Sequence, residues 1–317
     1  MVRFGKKEKK APEISEEFSR LINKGTDLIQ QGNIPEAEKY YRQATEIESK
    51  HPFAWGMLGV ALYQLGRNDE AVEAFEHSLK LDPDQAPILV NYGSLLKTMG
   101  DVKKAEEILK RASKLEPDMH TIWYNLGNLY RESGKLGDAI KMYWKALKLN
   151  SSHSDCWFNL GLTYEMDGKM KEAERAFRKT VELNPSDPQA WREIGAILAG
   201  RGDYPQALDA LDRHKAIRPT DAIGWFNRGT VLLNLDRIPE CFMAYKRATE
   251  LDSTFTEAWA RLGAIYLVGK QFKDAENCYR SAIRHDPEDK RLWAGLVESL
   301  EGQGKMQEAS ETRKRFT

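Results

Sequence analysis

Residues 123–147 read Trp-Tyr-Asn-Leu-Gly-Asn-Leu-Tyr-Arg-Glu-Ser-Gly-Lys-Leu-Gly-Asp-Ala-Ile-Lys-Met-Tyr-Trp-Lys-Ala-Leu. Trp123, Leu126, Gly127 and Tyr130 stand at i, i+3, i+4 and i+7, which places them on one face of a helix. Gly134 interrupts that run as a left-handed C-terminal cap would. Ala139, Tyr143, Ala146 and Leu147 then take up the helical spacing again, so the stretch reads as helix, turn, helix.

Shifted by 34 residues, the pattern returns along the chain. Trp55, Trp123, Trp157, Trp191, Trp225, Trp259 and Trp293, seven of the eight tryptophans, share one phase. Gly59, Gly127, Gly161, Gly195, Gly229 and Gly263 stand four residues beyond, with Gly25 and Gly93 in register. A third column, Ala37, Ala71, Ala105, Ala139, Ala173, Ala207, Cys241, Ala275 and Ala309, is small throughout. Pro83, Pro117, Pro185, Pro219 and Pro287 fall in the turns between units, and Pro35, Pro205 and Pro239 start the second helix, where a missing N–H is tolerated. Length alone, 317 residues, suggests two domains. The period instead predicts a single domain over 18–317, with repeats starting at 18, 52, 86, 120, 154, 188, 222, 256 and 290, the last one short. Residues 1–17, mixing Lys and Glu with few apolar residues, read as a flexible tail. The last unit carries Gln307, Glu308, Glu311, Arg313, Lys314 and Arg315 and reads as a polar cap.

These columns resemble the tetratricopeptide repeat, with its W-x2-L-G-x2-Y, A-x3-F and closing P pattern. The resemblance covers residues 18–317, and the unit holding Trp123, Tyr130, Gly134, Ala139, Tyr143 and Ala146 lies close to the family consensus. It implies an all-α, right-handed superhelical solenoid of antiparallel helix pairs, with an inner groove lined by the first helix of each pair. It also implies a scaffold or peptide receptor rather than an enzyme.

Composition narrows the partners. Forty-eight Lys and Arg balance 48 Asp and Glu, so no overall field draws the molecule onto nucleic acid or an anionic membrane. The chain is 41% hydrophobic and 30% charged, and its charges recur too often for a run of about 18 apolar residues. Around Lys6, Lys7, Glu8, Lys9 and Lys10 no signal-peptide stretch is found, and Val2 stands where myristoylation needs glycine. The expected compartment is the cytoplasm. Cys156, Cys241 and Cys278 are too few and too scattered for a disulfide framework or a Cys-x2-Cys metal pair and read as reduced thiols.

The candidate site lies on the first helices, about 160° around from the Trp, Leu, Gly and Tyr columns. One column there reads Asn23, Met57, Asn91, Asn125, Asn159, Glu193, Asn227, Arg261 and Gly295, taking five of the chain's twelve asparagines. An Asn amide offers one acceptor and two donors and matches the repeating C=O and N–H of an extended peptide without demanding a sequence. The competing reading is hydrogen bonding within the helix itself. The column resembles the asparagine ladder in the tetratricopeptide region of the O-linked N-acetylglucosamine transferase; with no catalytic domain in these 317 residues, glycosyl transfer is not implied. Tyr63, Tyr124, Phe158 and Phe226 flank the column, and Asn128 lies one turn beyond Tyr124. Such aromatics are candidate anchors for a partner's apolar side chains, or packing residues between helices. The expected groove residues are therefore Asn91, Asn125, Asn128, Asn159, Asn227, Tyr124, Phe158 and Phe226, used chiefly in the third to fifth units. Nearby charges, Lys97, Arg131, Arg192, Glu193, Glu257 and Arg261, are of mixed sign. A family clamp for C-terminal carboxylates uses two Lys, two Asn and an Arg. Tyr124, Asn128, Asn159, Gln189 and Glu193 occupy those places, so all three cations are missing.

Enzyme signatures are weak. His153 and Cys156 have no second pair to complete a zinc site. His214 occupies a column where alanine is usual, Cys241 acts as a small apolar residue and Cys278 as an ordinary helical one. Arg228 and Lys24, where leucine is usual, read as side chains whose stems cover apolar surface while their charges reach water. No catalytic residue, metal or cofactor is expected. The reading is a scaffold for a protein or peptide partner. The alternative is a structural unit that self-assembles into homo-oligomers, suggested by zero net charge and stackable ends.

Overall fold

The computed structural model describes residues 15–314, so most of the expected tail and Arg315 lie outside the described residues. Ser15 caps the first helix, its Oγ accepting from the Phe18 N–H at 3.2 Å. The chain divides into two compact units, Met1–Ser152 and His153–Thr317. The first pairs α1 (Glu16–Gln30) with α2 (Ile34–Ile47), α3 (Pro52–Gln64) with α4 (Asn68–Leu81), α5 (Ala86–Thr98) with α6 (Val102–Leu115), and α7 (His120–Glu132) with α8 (Leu136–Leu149). The second pairs α9 (Ser154–Met166) with α10 (Met170–Leu183), α11 (Pro188–Gly200) with α12 (Tyr204–Ile217), α13 (Ala222–Asn234) with α14 (Ile238–Leu251), α15 (Thr256–Val268) with α16 (Phe272–His285), and α17 (Lys290–Gly302) with α18 (Met306–Lys314). The described residues are thus all-α, an array of antiparallel hairpins. None of their helices is long and apolar enough to cross a membrane.

Two glycine columns make the hairpin. In the first helices, a β-carbon on Gly127 would sit 2.6 Å from the Tyr143 ring, and one on Gly161 2.6 Å from the Phe177 ring. Only a residue without a side chain lets the second helix press its aromatic this close, and Tyr143 and Phe177 are fully buried there. At the turn, Gly134 has φ 71°; its N–H bonds to Arg131 O, and that of Lys135 reaches Tyr130 O. This is a Schellman ending, which closes the orphan carbonyls of the first helix. Asp236 and Lys270 hold the same place in α13 and α15 with φ 56° and 55°, keeping the motif without glycine.

The seven tryptophans of the column are half-buried, partly in the core and partly at the surface. In six of them the indole N–H reaches back six residues to a carbonyl in the preceding turn, as from Trp123 to Pro117 O at 2.7 Å, Trp225 to Pro219 O at 2.8 Å and Trp293 to Pro287 O at 2.8 Å. An amphipathic ring with one polar atom suits this position between core and turn.

Adjacent hairpins are also joined by carboxylates. Glu38 lies 2.6 Å from Arg42 on its own helix and 3.3 Å from Arg67 of the next hairpin. Glu106 does the same with Lys110 and Lys135, Glu174 with Arg178 and Arg201, and Glu276 with Arg280 and Lys305.

Candidate functional site

In the first unit, α5 carries Asn91 and α7 carries Tyr124, Asn125 and Asn128, all half-buried. Asn91 Nδ2 donates to Pro87 O at 3.1 Å and Asn125 Nδ2 to Thr121 O at 2.8 Å, each four residues back on its own helix. Asn125 Oδ1 also accepts from Ser94 Oγ at 3.0 Å, joining α7 to α5. The within-helix bonds weighed as the competing reading are therefore present in both residues. They consume one N–H of each amide and fix its rotamer. Asn128 turns to the hairpin instead, its Oδ1 accepting from the Tyr143 hydroxyl at 2.7 Å. Tyr124 packs its ring 6.2 Å from that of Tyr143. Beside them, the Tyr63 hydroxyl lies 3.0 Å from Thr98 Oγ1, and Lys97 Nζ bonds to Glu132 Oε1 at 2.8 Å.

In the second unit, Phe158 and Asn159 lie on α9, and Phe226 and Asn227 on α13; all four are half-buried. Phe158 packs 5.5 Å from Phe177, and Phe226 lies 5.5 Å from Tyr245 and 4.9 Å from Phe255. These aromatics share their exposed edges with packing inside the array. The charges here are neutralised locally: Arg192 Nη2 bonds to Glu193 at 2.8 Å and Nη1 to Asp221 at 3.3 Å, and Arg261 pairs with Glu257 at 3.0 Å.

Three single residues prove more bonded than their columns imply. Arg228 does not extend its charge to water: its side chain is 11% exposed, and Nε donates to Asp212 Oδ1 at 2.7 Å on α12. His153 caps α9, its Nδ1 accepting from the Cys156 N–H at 3.0 Å, which explains the spacing of this pair without a metal. His214 is 1% exposed. Its Nδ1 donates to Pro188 O at 2.7 Å, as Ser78 Oγ does to Pro52 O at the same repeat position. Nε2 lies 3.0 Å from Asp221 Oδ2, without the alignment of a hydrogen bond. Space for the ring comes from Gly224, where a β-carbon would stand 2.2 Å from Nε2. All three cysteines are buried, and desolvation pushes the thiols of Cys156 and Cys278 up to about 12 and that of Cys241 to about 11. Among the described residues no group of three or more His, Cys, Asp or Glu side chains could hold a metal ion.

Solved structures share this fold. YrrB, described as a TPR protein with an unusual peptide-binding site, is 23% identical over 59% of this chain and 96% of its own, with a TM-score of 0.53. The pilF protein of Pseudomonas aeruginosa is 20% identical over 63% of this chain and 91% of its own, at 0.58. The APC/C hetero-tetramer Cut9-Hcn1 is 16% identical over 88% of this chain and 55% of that one, at 0.56. At these identities the likeness is one of fold. No curated protein matches the chain. Among family models, the Tetratricopeptide repeat matches residues 20–51, the Cytochrome c-type biogenesis protein H TPR domain residues 41–143, and the Cilia and flagella-associated protein 70 C-terminal domain residues 150–315. Because that last match alone spans more than half of the length and the others together cover residues 20–143, the chain belongs to the tetratricopeptide-repeat proteins, in the family described as Cilia and flagella-associated protein 70 C-terminal domain.

Proposed function

We propose that this chain is a non-enzymatic interaction scaffold that takes an extended peptide segment of a partner protein along the first-helix faces of its repeats. The observation that carries the reading is the column of half-buried asparagines, in which the amides of Asn91 and Asn125 are held by their own helices. Each such amide has two N–H groups and two lone pairs, so one N–H bond leaves capacity for a peptide N–H and C=O. A fixed rotamer also lowers the ordering cost of binding. Local pairing of Lys97, Arg192 and Arg261 removes the single-sign field that an ionic clamp needs.

Selecting random 15-residue peptides by display against the immobilised full chain, then titrating them at low and high salt, tests this reading. Selected peptides should bind 1:1 and keep most of their affinity at high salt, since the neutral backbone contacts are not screened. Recovery of no binding peptide, or binding that collapses with salt alone, would overturn it.

A further inference from the structure

In the second unit, the last turn of α9, the first turns of α10 and one side of α11 enclose a cavity of about 440 Å³. Met170, Ala196, Ile197 and Gly200 supply its apolar lining. A β-carbon added to Gly200 would meet nothing within 4 Å, so the cavity is open above that residue. Its charged lining is unevenly satisfied. Glu174 accepts from Arg178 Nε at 2.8 Å and Arg201 Nη1 at 2.7 Å, which occupies both the carboxylate and Arg201. Lys171 is exposed at the rim. Glu165 is half-buried; its carbonyl accepts from the Gly168 N–H, but its carboxylate makes no hydrogen bond or ion pair among the described residues. Burial first, and Glu193 second, push its pKa up, while Arg192 opposes them. Arg192, however, is already bonded to Glu193 and Asp221. Glu165 and Gly200 lie at the C-terminal ends of α9 and α11, where the helix dipoles also favour positive charge.

We propose that this cavity receives a lysine or arginine side chain of the bound peptide, with the aliphatic stem over Met170, Ala196, Ile197 and Gly200 and the cation on Glu165. Long basic side chains bury their stems while their heads stay polar, and a cation on a carboxylate makes the stronger kind of hydrogen bond. A purely apolar side chain would further desolvate Glu165 without pairing it, and an acidic one would add a like charge. The proposal deepens the peptide-binding reading and rests on it for the source of the side chain, but the cavity can be probed alone.

Titrating N-acetyl-lysinamide, N-acetyl-argininamide and N-acetyl-norleucinamide into the isotope-labelled full chain, followed by NMR of the Ala196, Ile197 and Gly200 amides, tests the cavity. Both cationic amides should shift these resonances saturably, and norleucinamide should bind about tenfold more weakly. Glu165→Gln should abolish the difference, with an unchanged circular dichroism spectrum because the Glu165 carboxylate supports no bond of the fold and its capping carbonyl is kept. Equal response to norleucinamide, no shift at roughly 50 mM ligand, or full preference in E165Q would each overturn the assignment. Display selection separates the two claims. A basic residue enriched at one peptide position against wild type and lost against E165Q supports the cavity. Tight peptides without that enrichment sink the cavity but leave the peptide reading intact. If no peptide is selected, the peptide reading fails and the amide titration alone decides the cavity.

Discussion

Replacing Glu276 by glutamine should loosen the last hairpin selectively. The residue is 4% exposed, and its carboxylate takes bonds from Lys273 at 3.2 Å, Arg280 at 3.0 Å, Gln303 at 2.9 Å and Lys305 at 2.9 Å. Gln303 and Lys305 belong to the turn between α17 and α18, so the contact anchors that hairpin to α16. Burial works against the charge, but Lys305, Gln303, Arg280 and Lys273 outweigh it and bring the pKa from 4.5 to about 2. At 1.36 kcal/mol per tenfold change in proton affinity, this sets a ceiling of about 3.4 kcal/mol. Lys273, Arg280 and Lys305 are 65%, 43% and 36% exposed, and water screens them, so about 2 kcal/mol is the working figure. The folded pKa lies below the unfolded one, so the contribution is present above about pH 5 and drains away as pH falls from 4.5 toward 2. Hydrogen exchange with mass spectrometry at pH 7 reads the effect locally: residues 290–314 of E276Q should exchange about 30-fold faster, with α9–α14 unchanged. Urea melts should show wild type losing its advantage over E276Q on acidification. Unchanged exchange in 290–314, or parallel pH profiles, would refute the anchoring role.

Three further outcomes follow from the packing. Lys270 holds φ 55° at a helix ending where seven other repeats have glycine; Lys270→Gly should stabilise by about 0.5–1 kcal/mol after the entropy of the new glycine is subtracted, as read by urea denaturation. Gly224→Ala should cost about 1–3 kcal/mol against the His214 ring and almost nothing in a His214→Ala background, and additive costs would show that the two residues do not compete for space. The buried thiols of Cys156, Cys241 and Cys278 should resist a thiol reagent at pH 8 in the native chain and react together after denaturation; fast native labelling would contradict their burial.

The hairpin array was legible because its signals are repeated and local. Gly127 and Tyr143 lie sixteen residues apart in a pattern that returns every 34, and the glycines at Gly32, Gly66, Gly100, Gly134, Gly168, Gly202 and Gly304 all have positive φ. Partner choice was less legible because it depends on how neighbouring hairpins meet. The Trp columns marked the period but not the carbonyl six residues earlier that holds rings such as Trp123 and Trp225 between core and turn. Arg228 looked like a stem with a solvated head because Asp212, on the preceding helix, is found only by folding the chain. His214 broke an alanine column, and its explanation, Gly224, lies ten residues on in the next helix. The carboxylate links did leave a trace: Glu38, Glu106, Glu174 and Glu276 each have a basic residue four positions later and another 27 or 29 positions later. For the asparagine column, the sequence left peptide binding and within-helix bonding as alternatives. Asn91 and Asn125 make the helical bonds and keep capacity for more, because an amide is not exhausted by one partner.

Whether these amides read a peptide backbone is tested most directly by a double-mutant cycle in the first unit. A display-selected peptide would be synthesised with each backbone amide replaced in turn by an ester, which removes one N–H donor, and titrated against wild type, Asn91→Ala and Asn125→Ala. The account predicts that each Asn variant couples to one ester position by about 0.5–1.5 kcal/mol, the range of a neutral hydrogen bond, at adjacent points along the peptide. Strict additivity at every position, with the Asn variants binding as tightly as wild type, would mean that the column serves only its own helices.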